Sequence, residues 1–468
     1  MSFKAFAVKH GDNHWVLPKT HGMKVEAHAF FSEDLFRLSE EGMWRQLAQA
    51  ASYEGVIGAY AMPDAHVGFG VPVGTVIVTD ETILQAGSGY DISCGVVYLH
   101  AKDLDAEKVA SWEARERWVK EVDLRVATGV GSKRPPKMKK FQERDVEKIL
   151  RYGAKAIGVS ADVCERQFIP IPETADLKSI ARARDKVLPQ LGSVGGGNHF
   201  IEMQVDRDTG EVWIMVHCGS RGYGWQTANH FFFEGAALRK IPKGKREESF
   251  LYASEPLGKE YWAHHNSAAN FAVANRHIIA EGVNDALEAV FDVRAEVYFE
   301  ISHNLVQEET LILPNGETKR GFVHRKGATR AFPAGHPDLV GTKWETTGHP
   351  CLIPGSMIDG AAILFPLAGA SKSGFSVNHG SGRVMARGEA KRRLEARHDE
   401  IDREMKDITR MLGGTQIKGI VGNTKRTPLD ECGHVYKKLD DVLEVLEANG
   451  IARVEHRMFP VANLKGMD

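Results

Sequence analysis

Histidine, cysteine and aspartate residues of this chain stand at the ends of strand-like or glycine-rich segments. Metal sites and nucleophilic sites need side chains that project from rigid elements, and a strand-to-loop junction provides such a position. The pattern therefore predicts a metalloenzyme. The residues are Asp91 and Cys94 in Gly-Tyr-Asp-Ile-Ser-Cys-Gly, His199 in Gly-Gly-Gly-Asn-His, His217 in Ile-Met-Val-His-Cys-Gly, His303 in Glu-Ile-Ser-His-Asn, and His379 in Val-Asn-His-Gly-Ser-Gly-Arg.

The Asp91 to Cys94 turn is the centre of this prediction. A thiolate three residues after a carboxylate, in a turn bracketed by glycines, can share one ion with it, and imidazoles from other loops could complete one or two sites. The spacing does not choose among Mn, Zn, Fe and Co. Any one histidine taken alone is more often a capping or surface residue, but several in similar contexts favour a site.

Other thiols and imidazoles are expected to be structural. Cys218 follows His217 directly, so it should point to the opposite face of its strand as a buried thiol. His264 and His265 lie in a long helical segment and are expected to pack against its neighbours. The remaining cysteines, expected in the core or half exposed, are Cys164, Cys351 and Cys432.

Glycine-rich stretches offer weaker signals of phosphate binding. Residues 192–198 and 379–383 could present backbone N–H groups to a nucleotide phosphate, and Arg383 could add charge. Neither stretch ends in the Gly-Lys-Ser/Thr of a P-loop, and no Rossmann fingerprint follows a strand. Residues 354–357, Pro-Gly-Ser-Met, form another loop that either contacts a ligand or is simply a turn.

Composition sets the broad class. The 468 residues are 43% hydrophobic and 26% charged, and 60 basic and 62 acidic side chains give a net charge of -2, so no global field favours a polyanion. Five scattered cysteines suit a reducing compartment. The first residues lack the apolar segment of a signal peptide, and no run approaches the ~18 apolar residues of a membrane span. We therefore expect a cytoplasmic protein with no membrane partner.

Two local basic clusters are the exception to this balance. Such loops are more often simply solvated, but they could hold RNA phosphates if they border the metal site. The first cluster consists of Lys133, Arg134, Lys137, Lys139 and Lys140. The second consists of Arg239, Lys240, Lys243, Lys245 and Arg246.

Both helices and strands are predicted to position these residues. Apolar periodicity and β-branched runs predict a mixed α+β fold without the strict alternation of a barrel or a doubly wound sheet. No linker or repeat divides the chain, so 1–468 is predicted to be one domain. The predicted strands are 72–79, 211–217, 295–301 and 351–354. The predicted helices are roughly 103–122, 142–156, 262–291, 386–411 and 437–448.

Nine motifs, in one order along nearly the whole chain, resemble the RtcB family of RNA-splicing ligases. Several of them are individually specific. They are Met-Pro-Asp-Ala-His-Val-Gly-Phe-Gly (62–70), Gly-Tyr-Asp-Ile-Ser-Cys-Gly-Val (89–96), Gly-Gly-Gly-Asn-His-Phe-Ile-Glu (195–202), Val-His-Cys-Gly-Ser-Arg-Gly (216–222), Ser-His-Asn (302–304), Pro-Gly-Ser-Met (354–357), His-Gly-Ser-Gly-Arg (379–383), Tyr-Lys-Lys-Leu-Asp-Asp-Val (436–442) and Leu-Lys-Gly (464–466).

The resemblance implies a fold of mixed β-sheets flanked by helices around a deep metal-containing cleft. It implies that Cys94 bridges two manganese ions, one also held by Asp91 and His199 and the other by His217 and His303. His379 would be the nucleophile that takes GMP from GTP. The implied reaction joins an RNA 3′-phosphate or 2′,3′-cyclic phosphate end to a 5′-hydroxyl end, in tRNA splicing or RNA repair. RNA is the implied partner, with archease as a candidate activator.

The resemblance also implies a guanine site. Glu202 would accept N–H bonds from the guanine edge, Tyr436 would stack on the base, and Lys465 would reach its carbonyl. The full implied set of nucleotide-binding residues is Asn198, His199, Phe200, Ile201, Glu202, His303, Asn304, Pro354, Gly355, Ser356, Met357, His379, Gly380, Ser381, Gly382, Tyr436 and Lys465.

One departure from the family pattern affects this guanine site. After Pro-Gly-Ser-Met the family commonly continues Gly-Thr-Ala-Ser, with the serine near guanine, whereas residues 358–361 here are Ile-Asp-Gly-Ala. Ser381 and Ser93 are smaller changes. The departure keeps open a diverged relative that caps RNA ends or hydrolyses cyclic phosphates. A non-catalytic RNA-binding protein is a third hypothesis, which the complete set of candidate ligands argues against.

Overall fold

The computed structural model describes residues 2–129, 131, 133–160, 169–312 and 316–466, and Cys164 lies outside them. Short 3-10 turns occur at Lys4–Phe6, Gln85–Gly87, Gly153–Ile157, Lys243–Glu248, Pro337–Leu339, Ala368–Ser373, Glu395–Arg397 and Gly433–Val435. The helices are α1 (Glu33–Leu38), α2 (Glu41–Ala50), α3 (Trp112–Asp123), α4 (Glu143–Tyr152), α5 (Ala181–Arg184), α6 (Val187–Gln190), α7 (Arg221–Leu238), α8 (Pro256–Phe291), α9 (Arg387–Leu394), α10 (His398–Asp407) and α11 (Leu439–Ala448).

The strands alternate irregularly with these helices, as expected for a mixed fold. They are β1 (Val8–Gly11), β2 (His14–Leu17), β3 (Ala27–Ala29), β4 (Val56–His66), β5 (Val73–Thr79), β6 (Thr82–Leu84), β7 (Gly95–Asp105), β8 (Ala127–Thr128), β9 (Ser193–Gly195), β10 (Phe200–Asp206), β11 (Glu211–Cys218), β12 (Phe250–Tyr252), β13 (Glu296–Ser302), β14 (Asn304–Ile312), β15 (Thr318–Lys326), β16 (Ala328–Arg330), β17 (Cys351–Pro354), β18 (Ala361–Pro366), β19 (Ser376–Asn378), β20 (Thr409–Leu412), β21 (Thr415–Lys418), β22 (Val421–Gly422) and β23 (Ala452–Lys465).

Two predicted helices are wrong at one end. Residues 103–105 belong to β7, because that strand continues its pairing with β11 as far as Asp105, and helix α3 begins only after the N-cap Ser111. The predicted helix at 386–411 is two short helices followed by strand β20. Gly413 and Gly414, both with positive φ, turn β20 into β21, which ends the helical path.

Two sheets carry most of the strands. The first has the order β1-β2-β3-β4-β5-β15-β14, and the second has the order β13-β7-β11-β10-β23-β18-β17, with β22 beside β23. Neighbouring strands from β13 to β23 in the second sheet are antiparallel. Strand starts and strand ends therefore alternate along each edge of this run.

One edge of the second sheet consequently collects termini that are far apart in sequence. Gly95 at the start of β7 lies opposite Ser302 at the end of β13 and opposite Cys218 at the end of β11. Phe200 at the start of β10 lies opposite Lys465 at the end of β23. The residues adjoining these termini are the ones that the sequence predicts to carry the chemistry.

Helix α8 covers the second sheet near this edge. Val97, Ile201 and Val216 from three strands form a buried core with Ile279 and Val283 of α8. Burial of such side chains contributes roughly 1.5–3 kcal/mol each, so this layer anchors the edge. Within the described residues, no helix is long and apolar enough to cross a lipid bilayer.

A buried arginine on α8 hydrogen-bonds to residues at three of the strand termini. The guanidinium of Arg276, which is fully buried, donates to the carbonyl oxygen of Ser93 (2.6 Å), to the carbonyl oxygen of Cys218 (2.8 Å) and to Oγ of Ser302 (3.2 Å). Each of these three residues is the sequence neighbour of a candidate metal ligand. Ser93 also has a left-handed backbone, with φ of 57°, which these contacts hold in place.

Glu300 compensates the charge of Arg276. Its Oε1 accepts from Nε of Arg276 at 2.7 Å, and its Oε2 lies 2.8 Å from Nε2 of His277. Burial raises the pKa of Glu300, but Arg276 and His277 outweigh that effect and lower the pKa below its usual value. The carboxylate therefore stays ionised and the buried charges form a closed network.

Replacing Arg276 should therefore destabilise the chain strongly. Arg276→Met removes the buried cation that pairs with Glu300 and removes donors from two carbonyl groups, so we expect a loss of about 3–5 kcal/mol in the free energy of unfolding, measured by urea denaturation. Arg294→Met is the matched control, since Arg294 pairs with three acidic residues of α8 but is 41% exposed. It should lose less than about 1 kcal/mol. Equal losses would contradict the role assigned to Arg276.

Candidate active site

The structure brings the five predicted metal ligands together at the edge of the second sheet. Nε2 of His199 and Nε2 of His217 each lie 3.3 Å from Sγ of Cys94. Nε2 of His303 lies 3.2 Å from Nε2 of His217, and Oδ2 of Asp91 lies 2.9 Å from Nε2 of His199. The ligand atoms form two triads that share the thiol, with all atoms of a triad within 4.8 Å of one another.

The chemistry of these atoms suits a cation between them. Nδ1 of His199 is 3.0 Å from the carbonyl oxygen of Val194, which can only accept, so Nδ1 carries the proton. Burial opposes protonation of His199, but the charges of Cys94, Cys218 and Asp91 raise its pKa well above the usual value, so positive charge is favoured at this point. Nε2 of His199 faces the carboxylate of Asp91 and the sulfur of Cys94. Such groups repel one another unless a positive charge lies among them, and the triads fit a divalent ion.

The pKa values of the other three buried ligands also fit a bound cation. Burial and the charge of Asp91 raise the pKa of the Cys94 thiol to about 12, so the thiolate needs a compensating cation. Burial and neighbouring imidazoles lower the pKa values of His217 and His303 well below their usual value. Both rings are therefore neutral, which is the form that binds metals.

The predicted nucleophile lies beside the second triad. The ring of His379 is 4.9 Å from the ring of His303, and its Nδ1 is 2.7 Å from Oδ2 of Asp64. Asp64, in β4 of the first sheet, is fully buried. The carboxylate accepts a hydrogen bond from Nδ1–H of His379, which leaves Nε2 as the ring nitrogen with a free lone pair.

The backbone after His379 must pass very close to Asp64. Gly382 has φ of 79°, and a Cβ atom at this position would lie 2.9 Å from the Cβ atom of Asp64. Only glycine meets both conditions without strain. Gly382 thus allows the loop 379–383 to approach Asp64, the residue that orients His379.

A cavity of about 350 Å³, here called the His379 cavity, is lined by His217 and His303 of the second triad and by His379. Its wall contains most of the residues expected to hold the phosphates. The predicted residues among its lining are Asn198, Phe200, His217, His303, Asn304, Pro354, Gly355, His379, Gly380, Ser381, Gly382 and Tyr436.

A second cavity of about 170 Å³, here called the Glu202 cavity, adjoins the first. The two share Phe200, Pro354, Gly355, Glu431 and Tyr436. The second contains the remaining predicted base-binding side chains. The predicted residues in its lining are Phe200, Glu202, Pro354, Gly355, Ser356, Met357, Tyr436 and Lys465.

Glu202 is a buried acceptor in the wall of its cavity. Its Oε2 accepts from Nδ2 of Asn463 and its Oε1 accepts from Nε2 of Gln204, both at 2.7 Å. Burial raises the pKa of Glu202 to about 7, although both hydrogen bonds oppose the increase. Each carboxylate oxygen keeps a further lone pair for a donor in the cavity.

Glu431 positions the predicted base-contacting residues. Its Oε2 accepts from Oη of Tyr436 at 2.5 Å and lies 3.1 Å from Nζ of Lys465. Its Oε1 lies 3.0 Å from Nη2 of Arg387 and 3.4 Å from Nη1 of Arg383. One carboxylate therefore fixes the aromatic ring and the lysine that border both cavities.

Some predicted residues lie behind the cavity walls. Strand alternation turns Phe200 and Glu202 toward the cavities but sends Ile201 into the core of the second sheet. Cys218 is buried in the same core, and His264 is buried with Nε2 2.9 Å from Oγ of Ser179, as expected.

Three contributing residues were missed from the sequence. They are Asp64, Glu431 and Lys326, whose Nζ contacts the carbonyl oxygens of Phe69 (2.5 Å) and Val71 (3.0 Å). Burial lowers the pKa of Lys326, in the wall of the His379 cavity, to about 7. Lys326 ends a strand before a glycine, the same signal that located the histidines, so it could have been found.

The loop 358–361, whose sequence differs from the family pattern, contributes little to the wall of the Glu202 cavity. Of its four residues, only Gly360 lines the Glu202 cavity. Ala361, at the position of the family's serine, is fully buried in a core with Met215 and Ile363. The loop is held by Arg410, which donates to the carbonyl oxygen of Ile358 at 2.7 Å. A hydroxyl at this point is absent.

Comparisons with known proteins agree with this arrangement. A family model described as tRNA-splicing ligase RtcB matches residues 46–466. Proteins named tRNA-splicing ligase RtcB from Archaeoglobus fulgidus and Thermococcus kodakarensis are 32% and 33% identical, with 100% and 97% of each chain covered. The RNA-splicing ligase RtcB of Mycobacterium tuberculosis is 32% identical over 90% of this chain and 100% of its own. The chain belongs to the RtcB family.

Proposed function

We propose that this chain is a GTP- and manganese-dependent RNA ligase that joins an RNA 3′-phosphate or 2′,3′-cyclic phosphate end to a 5′-hydroxyl end. Its role would be in tRNA splicing or RNA repair. Membership of a family of RNA-splicing ligases supports the reaction class. The observation that carries the rest is the imidazole of His379, oriented by Asp64 beside two ligand triads in one cavity.

We also propose that residues 1–468 act as a single domain around this site. Strand β7 pairs with β13, and β10 pairs with β23, although residues 106–295 separate the first two strands and residues 207–451 the other two. The nucleophile loop follows β19, whereas Asp64 belongs to β4. Neither half of the chain holds a complete site.

His379 acts first in the proposed reaction. Nε2 of its neutral ring attacks the α-phosphorus of GTP, the bond to the β-phosphate oxygen breaks, and pyrophosphate leaves. Asp64 holds the Nδ1 proton and stabilises the positive charge that the ring acquires. The product is GMP joined to His379 through a phosphorus–nitrogen bond.

Asp91, Cys94 and His199 would hold one manganese ion, and Cys94, His217 and His303 would hold the other. When bound, these ions supply positive charge that offsets the negative charge of the transferring phosphoryl group. Lys326, with its pKa lowered to about 7 by burial, adds a further donor in the same cavity.

The Glu202 cavity would select guanine. An ionised Glu202 accepts the N1–H and the exocyclic N–H of guanine, and adenine does not present that pair of donors. Tyr436, fixed by Glu431, offers its ring face to the base, and Lys465 can donate to the guanine carbonyl oxygen. The shared walls of the two cavities would let one nucleotide occupy both.

RNA receives GMP in the next step. An oxygen of the RNA 3′-phosphate attacks the phosphorus held by His379, the phosphorus–nitrogen bond breaks, and the ring recovers its lone pair. The 5′-hydroxyl of the second RNA end then attacks the activated 3′-phosphate and releases GMP. A 2′,3′-cyclic phosphate is first opened by water to the 3′-phosphate.

A diverged activity is the second candidate, and the absence of a hydroxyl at Ala361 is the observation that favours it. Such a relative would keep His379 and the ligand triads but cap RNA ends or hydrolyse cyclic phosphates. Joined RNA product from 3′-phosphate and 5′-hydroxyl oligonucleotides separates the two functions, since only the ligase forms it.

The covalent step gives the direct test of His379. With α-labelled GTP and Mn²⁺, denaturing electrophoresis should show labelled protein for the wild-type chain, none for His379→Ala, and none with labelled ATP. Asp64→Asn should form labelled protein about 10²-fold or more slowly, because the ring loses its oriented tautomer. Asp34→Asn, an exposed carboxylate, is the control and should match the wild type. Labelling of His379→Ala would refute the assignment.

Loss of the shared ligand should weaken metal binding at both triads. Cys94→Ala removes an atom common to both triads, so we expect less than half of the wild-type manganese content after dialysis, measured by elemental analysis. Cys351→Ala changes an equally buried thiol in β17 and should keep its metal. Retention of two ions by Cys94→Ala would rule out a bridging thiolate.

Guanine binding should depend on pH through Glu202. The carboxylate form, which accepts the guanine donors, predominates above the pKa of about 7 and is lost as the pH falls through it. The KM for GTP at saturating Mn²⁺ should therefore rise between pH 8 and pH 6. Glu202→Gln should raise the KM about 10- to 100-fold at pH 8 and remove this pH step. An identical pH step in the variant would show that another group titrates.

A further inference from the structure

An exposed pair of aromatic rings lies beside the His379 cavity. Trp225, in the first turns of α7, is 46% exposed, and its ring stacks on Tyr90 at a centroid distance of 5.5 Å and an interplanar angle of 20°. Tyr90 itself lines the His379 cavity. The stack therefore runs from the wall of the cavity to the outer surface, and one face of Trp225 has no role in the reaction described above.

The stack is rigid because Tyr90 packs against two further aromatic rings. Its ring is 5.1 Å from the ring of Phe69 and 5.1 Å from the ring of Phe232, which is fully buried. An exposed indole on a fixed base loses little conformational entropy when a planar group stacks on it.

Positive charge surrounds the same rings. Nη2 of Arg246 is 3.4 Å from Oη of Tyr90, and its guanidinium lies 4.9 Å from the ring of Phe233, which is 43% exposed. Arg246 ends the second basic cluster, so this end of the cluster lies beside Tyr90, which lines the His379 cavity. Lys240 and Lys243 of the cluster are exposed.

Several other residues of the two basic clusters are engaged in structural contacts, among them Lys245, which pairs with Glu248. Arg239 pairs with Glu255 and lies over the ring of Phe250. In the first basic cluster, Arg134 donates to the carbonyl oxygen of Leu188, and Lys137 pairs with Glu121. Lys240 and Lys243 are thus the cations of the second cluster best placed for an external ligand.

We propose that Trp225, Tyr90, Lys240 and Lys243 form a platform that binds the single-stranded RNA leading to the reacting end. This inference rests on the proposed function and names where its substrate lies. A base stacks on the free face of Trp225, and the lysines contact phosphates that follow it. Stacking on an aromatic ring with neighbouring cations is sequence-tolerant, as a ligase acting on varied RNA ends requires.

The platform is separate from the guanine site. Tyr90 lines the His379 cavity but not the Glu202 cavity, which holds the guanine-selecting residues. An RNA strand stacked on Trp225 would enter the His379 cavity along a part of its wall that the Glu202 cavity does not share. GTP and RNA can therefore be bound at the same time.

The stacking is tested with a labelled single-stranded RNA that ends in a 3′-hydroxyl and so does not react. Fluorescence anisotropy should show that Trp225→Ala weakens binding about tenfold and that Trp225→Phe largely retains it. Tyr152→Ala is the control, because Tyr152 is 47% exposed on α4, outside the platform. It should bind RNA as the wild type does.

The charge is tested with Lys240→Gln combined with Lys243→Gln, two surface changes that leave the core intact. The plot of log binding constant against log salt concentration should become shallower by about 1.4, because each phosphate contact to a single strand contributes roughly 0.7. Lys102→Gln with Lys108→Gln, also exposed, should leave the slope unchanged.

Wild-type affinity in Trp225→Ala, or a wild-type salt slope in the double lysine variant, would overturn the platform. Failure of the proposed function is read separately, from labelled GMP on the wild-type chain in the absence of RNA. RNA binding that depends on Trp225 with no covalent GMP would retain the surface and reject the ligase. Formation of covalent GMP, together with RNA binding that does not depend on Trp225, would retain the ligase and reject the platform.

Discussion

The structure depends on one buried charge network at the edge of the second sheet. The guanidinium of Arg276 joins the long helix α8 to three strand termini, and Glu300 neutralises it. Because each terminus adjoins a candidate metal ligand, Arg276 helps to fix the positions of Cys94, His217 and His303. A network of buried hydrogen-bonded charges tolerates little displacement, since any shift leaves a charge unpaired.

The candidate site forms where this edge meets the first sheet. Asp64 of β4 orients His379, which follows β19, and Asn304 and Lys326 come from strands of the first sheet. The second sheet supplies the metal ligands, and β10 and β23 add Glu202 and Lys465. His379 and the candidate metal ligands thus adjoin different sheets, which would let each be held rigidly by its own core.

Sequence reasoning located the chemistry better than it located the elements. Asp91, Cys94 and the histidines were visible because each stands where a strand meets a glycine-rich turn, and local sequence determines such turns. The helix predicted from residue 103 was wrong because β7 is extended by pairing with β11, a partner more than 100 residues away. Pairing of that kind overrides local apolar spacing.

The sequence by itself determined which residue types are available and the local turns that expose them, and through nine ordered motifs it indicated the RtcB family. Only the tertiary structure decided which side chains meet. The antiparallel order of β13, β7, β11, β10 and β23 brings distant termini to one edge, and the burial of Asp64 and Glu431 turns them into orienting groups for His379 and Tyr436. The distance between two side chains and the burial of each depend on packing between segments that are remote in sequence. The spacing of residues along the chain does not determine either of them.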